Sequence, residues 1–147
     1  VMVSAMPAAA GDSAPILRVT GRIGEPVAEF DLATLRALPA VSIETSTVVT
    51  DGKHQFTGFL IRDLLDRVQA EGTHVTATAL NDYMVEIPIS DFHDYDVIAA
   101  YEMDGEPLRR ADKGPLWIIY PRDDHSALQD IRYDYRWVWQ LSGLKVR

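Results

Sequence analysis

The chain has no cysteine. That single absence removes disulfides, thiolate zinc sites, iron–sulfur clusters and cysteine nucleophiles together. Positive charge is also short: 14 Lys and Arg stand against 22 Asp and Glu, a net charge of −8. Neutralising phosphates needs a basic surface, so the balance argues against a nucleic-acid partner and against docking on an anionic membrane. Beyond the N-terminus no apolar run approaches the roughly 20 residues that span a bilayer, so no direct membrane insertion is expected. Histidines are scattered: His54, His74 and His93 stand alone, and His125 has beside it only Asp123 and Asp124. With no further ligand at helix or hairpin spacing, no metal site is expected. A nucleophile-elbow pattern is missing too, which leaves little basis for hydrolysis.

What remains is an ordinary globular composition, 47% apolar and 24% charged, in 147 residues. That is enough for one domain with a sizeable core. Residues 1–14 read as an export-signal remnant or a disordered leader. Val1–Ala10 is small and apolar and ends in Met6-Pro7-Ala8-Ala9-Ala10 before Gly11-Asp12-Ser13, like the end of a secretory apolar region with its small-residue cleavage site. Export is therefore expected. Residues 15–147 read as one folded unit without repeat or linker.

Within it, Ile16–Ile23 and Val27–Phe30 are predicted strands about a Gly24-Glu25-Pro26 turn. Asp31 caps a helix over Leu32–Leu38 that Pro39 ends. Val41–Val49, rich in β-branched residues, is a strand, and Asp51–His54 a loop. Phe56–Leu60 leads into a helix over Ile61–Ala70, whose Ile61, Leu64, Leu65 and Val68 recur at helical spacing. His74–Leu80 and Tyr83–Ile89 form a hairpin about Asn81-Asp82. Ser90 is predicted to cap a single turn over Asp91–Tyr95. A second hairpin turns at Asp104-Gly105, Leu116–Tyr120 is an apolar central strand, and Leu141–Val146 closes the sheet. Many short strands with three brief helices predict an α+β, mainly β, single domain.

Three segments stand out: Ala-Tyr-Glu-Met-Asp-Gly-Glu-Pro-Leu at 100–108, Lys-Gly-Pro-Leu-Trp-Ile-Ile-Tyr-Pro at 113–121, and Arg136-Trp137-Val138-Trp139-Gln140-Leu141. In that order and spacing they resemble the molybdopterin-binding domain of the sulfite oxidase family. The resemblance implies the sulfite oxidase-like fold over about Leu17 to Val146. In that family a cysteine thiolate holds molybdenum, at a strand end upstream of an aromatic-x-Gly that opens a Leu-x-Asp-Leu-Leu helix. Here Phe56-Thr57-Gly58 and Ile61-Arg62-Asp63-Leu64-Leu65 supply that entry, and counting back lands on Thr45-Ser46-Thr47 with Ser46 nearest. A hydroxyl is a far poorer ligand than a soft thiolate. A pterin site without its metal ligand implies a binding protein rather than a catalyst.

The candidate ligand residues follow. Thr45, Ser46 and Thr47 either hydrogen-bond a ligand in the former cofactor pocket or are plain strand residues. Tyr120 opens the loop in which Arg122, Asp123 and Asp124 suit the edge of a pterin: a carboxylate accepts its paired N–H donors, and a guanidinium serves its carbonyl. The competing reading of that loop is a solvated charged turn. Arg132, Arg136 and Trp137 offer cationic and stacking contact with a flat ring. Read as a strand, the segment puts Trp137 and Trp139 on one face, with Trp139 expected to be structural. Arg136 and Asp123 read as polar positions whose removal weakens binding without unfolding.

The resemblance further implies a reduced monapterin- or neopterin-like pterin as ligand, without molybdenum. It also implies a periplasmic location and a sensor role toward the periplasmic domain of an inner-membrane signalling protein that makes or degrades cyclic di-GMP. The alternatives are a molybdopterin-dependent oxidoreductase and a molybdenum-cofactor carrier.

Overall fold

The computed structural model describes residues 15–47, 52–109, 113–129 and 136–147. The predicted leader and Arg132 lie outside the described residues, as do positions 48 and 49 of the predicted third strand.

Among the described residues, ten strands form two sheets. The first has the order β2 (Val27–Phe30), β1 (Leu17–Gly21), β10 (Leu141–Val146), β5 (His74–Ala79), β6 (Met84–Pro88). Its final strand β10 runs parallel to β1 and antiparallel to β5. The last strand of the chain therefore sits at the middle of the sheet. The second sheet runs β3 (Ala40–Ser46), β4 (Lys53–Leu60), β7 (Ile98–Met103), β8 (Glu106–Pro107), with β9 (Trp117–Ile119) also paired to β7. Three short helices among the described residues, α1 (Leu32–Arg36), α2 (Ile61–Arg67) and α3 (Ser90–Asp94), pack with these sheets.

One apolar cluster joins both sheets and all three helices, with Val19, Val75, Phe56, Ile98, Leu35, Leu64 and Phe92 among its buried members. β5 alternates half-buried and buried positions along its length, as a strand with one face on the core does. β7 buries four residues in succession, Ile98–Tyr101, because it lies between β4 and the β8–β9 side. Phe56 and Trp117 meet edge to face across this sheet at 5.3 Å and 88°, a contact geometry that favours aromatic pairs beyond their area alone.

The predicted caps and stripes explain the local structure. Asp31 Oδ1 accepts from the Thr34 N–H at 2.8 Å, so it does cap α1. The α2 stripe Ile61, Leu64, Leu65 and Val68 is buried throughout. Both helices stop short of their predicted ends. α2 ends because Gln69 adopts φ +57, a left-handed conformation that terminates helical hydrogen bonding.

Four expectations need correction. Lys53 and His54 belong to β4 instead of a loop: they pair with Ser46 and Thr45, and His54 Nδ1 meets Asp104 Oδ2 at 2.6 Å. Ser90 does not cap α3; the cap position is Ile89, with no side-chain bond. The apolar run at Leu116–Tyr120 is wholly buried, yet its strand covers only Trp117–Ile119 and pairs with β7 alone apart from a bridge to Trp139. Finally, Arg136–Gln140 is not a regular strand. Trp137 and Val138 are both buried, whereas Trp139 is 40% exposed, because Gln140 at φ +51 turns the chain before β10.

Candidate functional site

The site is built around the segment that follows β9. Pro121 ends the strand, and two 3-10 turns follow, Arg122–Asp124 and Ser126–Gln129. Proline cannot donate to the sheet ladder and favours a turn start. Arg122 N–H donates to Tyr120 O, Asp124 N–H donates to Pro121 O, and buried Leu128 anchors the second turn in the core.

The first turn brings Asp123 to the end of β3. Ser46 N–H donates to Asp123 Oδ2 at 3.0 Å, and the Ser46 hydroxyl donates to Oδ1 at 2.7 Å. In return, Asp123 N–H donates to Thr45 Oγ1 at 3.1 Å. Arg122 Nη1 lies 3.4 Å from Ser46 Oγ, and Lys53 Nζ 3.9 Å from Asp123 Oδ2. Hydrogen bonds to a charged group contribute about 1.5–3 kcal/mol each, whereas an exposed ammonium at that distance adds little. Ser46 is therefore the dominant partner, and its hydrogen bonds hold the Asp123 carboxyl below the usual carboxylate range. Thr45 and Thr47 are buried. Thr45 also donates to the Ser46 carbonyl at 3.2 Å.

A pH dependence follows from this clasp. A carboxyl depressed in the folded state stabilises the fold above its unfolded value, and that contribution is lost as pH falls through the folded value. Acid unfolding of the wild-type protein should therefore steepen below about pH 4. Ser46→Ala should flatten part of that slope by relaxing Asp123 toward its ordinary value. Denaturant midpoints measured from neutral to acidic pH check this; identical profiles for the two proteins would show that the clasp does not form.

A second cluster lies against α3. The Tyr120 hydroxyl donates to Asp91 Oδ2 at 2.8 Å, and Arg136 Nη1 donates to the same oxygen at 2.7 Å. Asp91 is buried, its side chain 8% exposed beside 18% for Arg136. Burial, with the Asp91 charge alongside, pushes the Tyr120 phenol well above its usual value, so it stays a proton donor to Asp91. Trp137 stacks on Tyr120 with ring centres 5.9 Å apart and planes at 29°. Close by, Tyr95 at the end of α3 packs edge-on against His125 at 4.9 Å.

The structure thus brings Thr45, Ser46, Arg122 and Asp123 into one cluster and Tyr120, Arg136 and Trp137 into another, joined through the Tyr120–Pro121–Arg122 backbone. Thr47 is buried at the end of β3, and Asp124 is exposed, its carboxylate without a partner among the described residues. Asp91 is the residue that sequence reasoning missed. Nothing local marks it out from Asp94 or Asp96; its partners lie 29 and 45 positions away. Buried N–H donors at the site, Arg122 Nε and Trp137 Nε1 among them, have no hydrogen-bond partner among the described residues. The indole N–H of Trp117, whose ring contacts Phe56, Trp139 and Lys113, also has no partner among the described residues.

No protein of curated function matches the chain in sequence. Among solved structures, it is similar to the crystal structure of the sulfane dehydrogenase SoxCD from Paracoccus pantotrophus. The TM-score is 0.66 at 16% identity, over 88% of this chain and 37% of that one. A likeness at that identity carries the mainly-β sulfite oxidase-like fold, and this chain spans well under half the length of that relative. The model of the family described as "Oxidoreductase molybdopterin binding domain" matches residues 7–123, from ahead of β1 to the Asp123 clasp. The chain belongs to the oxidoreductase molybdopterin-binding domain family, in a cysteine-free form.

Proposed function

We propose that this domain binds a pterin without catalysing molybdenum chemistry. The observation that carries the ligand reading is that buried donors of this site, Arg122 Nε and Trp137 Nε1 among them, lack a partner among the described residues. A buried donor left unpaired costs about 1–3 kcal/mol, and such a group in a native fold calls for a partner. A flat heterocycle with carbonyl and imine acceptors, laid near the Tyr120–Trp137 stack, meets that need.

The residues present do not fit a thiolate-held molybdenum. The resemblance puts the family's cysteine at Thr45-Ser46-Thr47, nearest Ser46, and the Thr45 and Ser46 hydroxyls are committed: Ser46 gives its proton to Asp123, and Thr45 accepts from the Asp123 N–H. A hard hydroxyl already donating to a carboxylate is a poor substitute for a soft thiolate. Both Asp123 oxygens are held by Ser46 in the side-by-side manner in which a carboxylate would hold a pterin's amino edge. Asp123 therefore acts through Ser46, the hydroxyl that Arg122 Nη1 reaches at 3.4 Å, and the acceptor for the amino edge passes to exposed Asp124.

Calorimetric titration with dihydroneopterin and with oxidised neopterin tests the reading. Saturable heat with at least one of them is expected, together with no stoichiometric molybdenum in the purified protein. Sulfite-dependent reduction of an electron acceptor that scales with bound molybdenum would overturn it in favour of an oxidoreductase. Tight uptake and release of intact molybdenum cofactor would favour a carrier.

The proposal extends to place and partner. The small apolar leader supports export to the periplasm, and the resemblance to short cysteine-free pterin-binding proteins supports a sensor that contacts the periplasmic domain of an inner-membrane cyclic-di-GMP enzyme. Such a sensor works only if pterin-bound and pterin-free forms differ in affinity for the partner. Cell fractionation, and pull-down of membrane proteins with and without pterin, should give periplasmic protein and pterin-dependent capture; cytoplasmic protein, or capture indifferent to pterin, refutes this extension.

A further inference from the structure

We propose that Asp91 is the positioning residue of the ligand site: it aims the Arg136 guanidinium and holds the Tyr120 ring under Trp137. The assignment rests on the pterin reading above. One carboxylate oxygen receives both the Tyr120 hydroxyl and Arg136 Nη1, at 2.8 and 2.7 Å. A planar guanidinium bound at one nitrogen by a buried anion has its plane and direction restricted. The phenol bound to the same oxygen cannot swing away from the indole stacked on it at 5.9 Å.

The platform that carries Asp91 is itself fixed. Phe92 is buried beside it, and Ile89 N–H donates to Thr73 O at 2.9 Å. Arg62 ties the far side of the turn, reaching Asp96 Oδ1 at 2.9 Å. Asp91 is thus a rigid point to which three ligand-side residues are referred, although it need not touch the ligand itself. A group that acts through Arg136 should lose its influence once Arg136 is gone, while a group that only supports the fold should not.

A double-mutant cycle on dihydroneopterin affinity makes the distinction. Asp91→Asn keeps the shape and an acceptor for Tyr120 but removes the charge that holds Arg136. It should weaken binding about tenfold in the wild-type background and less than about twofold in Arg136→Gln. Equal losses in both backgrounds, or none in the first, overturn the assignment. If Asp91→Asn accumulates unfolded, Tyr120→Phe decides, because it keeps the ring on Trp137 and removes the hydroxyl that donates to Asp91: weaker binding supports the assignment, and wild-type affinity overturns it. A wild-type protein that binds no pterin removes the ligand reading and the assignment together, whereas wild-type binding with an unchanged Asp91→Asn removes the assignment alone.

Discussion

Gly58→Ala is expected to destabilise the fold by at least about 3 kcal/mol, lowering the melting temperature by roughly 10 °C for a chain of this size. A Cβ at Gly58 would lie 2.0 Å from Ala99 O and 2.6 Å from Ala99 C, far inside van der Waals contact. Those atoms belong to the backbone of β7, which pairs with β4 on one side and with β8 and β9 on the other. The neighbour cannot give without breaking ladders on both edges. β7 has small residues at the contact, Ala99 and Ala100, and the ladder shifts register between Thr57 and Gly58, so the two strands are closest where neither carries bulk. Gly143→Ala is the control. It also lies in a central strand, but a Cβ there meets nothing closer than 3.6 Å, and its melting temperature should stay within about 2 °C of wild type. Equal thermal shifts for the two variants would show that close approach at Gly58 is not what its glycine serves.

That glycine also shows why the fold was legible in the sequence. Phe56-Thr57-Gly58 with Ile61-Arg62-Asp63-Leu64-Leu65 reads as the entry to an apolar helix, a local pattern that leaves its mark on neighbouring residues, although the contact with Ala99 that requires the glycine is distant. Asp31 capping α1 and the buried stripe of α2 are equally local, set by hydrogen bonds and contacts within a turn or two. Where the reading failed, the deciding contact was distant. Lys53 and His54 resemble loop residues in composition, and only pairing with Ser46 and Thr45 makes them strand. Trp137 and Trp139 were assigned by period-two alternation, which applies only to an extended chain. The bridge of Trp139 to Trp117 and the left-handed Gln140 break that alternation, so Trp137 is the deeply buried indole and Trp139 the exposed one.

The candidate site divides the same way. The sequence pointed to the loop after β9 and to Arg136 by chemistry and resemblance, and the structure gathers those residues into two joined clusters. It could not reveal what holds them. Ser46 and Asp123 are separated by 77 positions, and Arg136 and Asp91 by 45. The two inner carboxylates, Asp91 and Asp123, are committed to internal partners, which leaves N–H donors as the buried groups without a partner among the described residues. The polarity of the site is therefore a product of tertiary pairing, invisible to any count of acidic and basic residues.

The last consequence concerns Arg136, read from sequence as a polar position that folding can spare. Its ion pair with Asp91 is largely buried, with side-chain exposures of 18% and 8%. Removing one member of a buried pair strands the other charge, at a cost of about 3–5 kcal/mol in dry interiors. Here the Tyr120 hydroxyl still donates to the same oxygen, and Arg136 is partly wet, so Arg136→Ala should lose about 2–3 kcal/mol of stability in addition to its ligand affinity. Adding Asp91→Asn to that variant should restore part of the loss, because the stranded charge disappears while a hydrogen-bond acceptor for Tyr120 remains. Urea unfolding at neutral pH separates the alternatives through the midpoint at constant slope. A wild-type midpoint for Arg136→Ala would mean that the pair contributes nothing to the fold. A double variant less stable than Arg136→Ala would mean that the cost lies in lost packing and not in a stranded carboxylate.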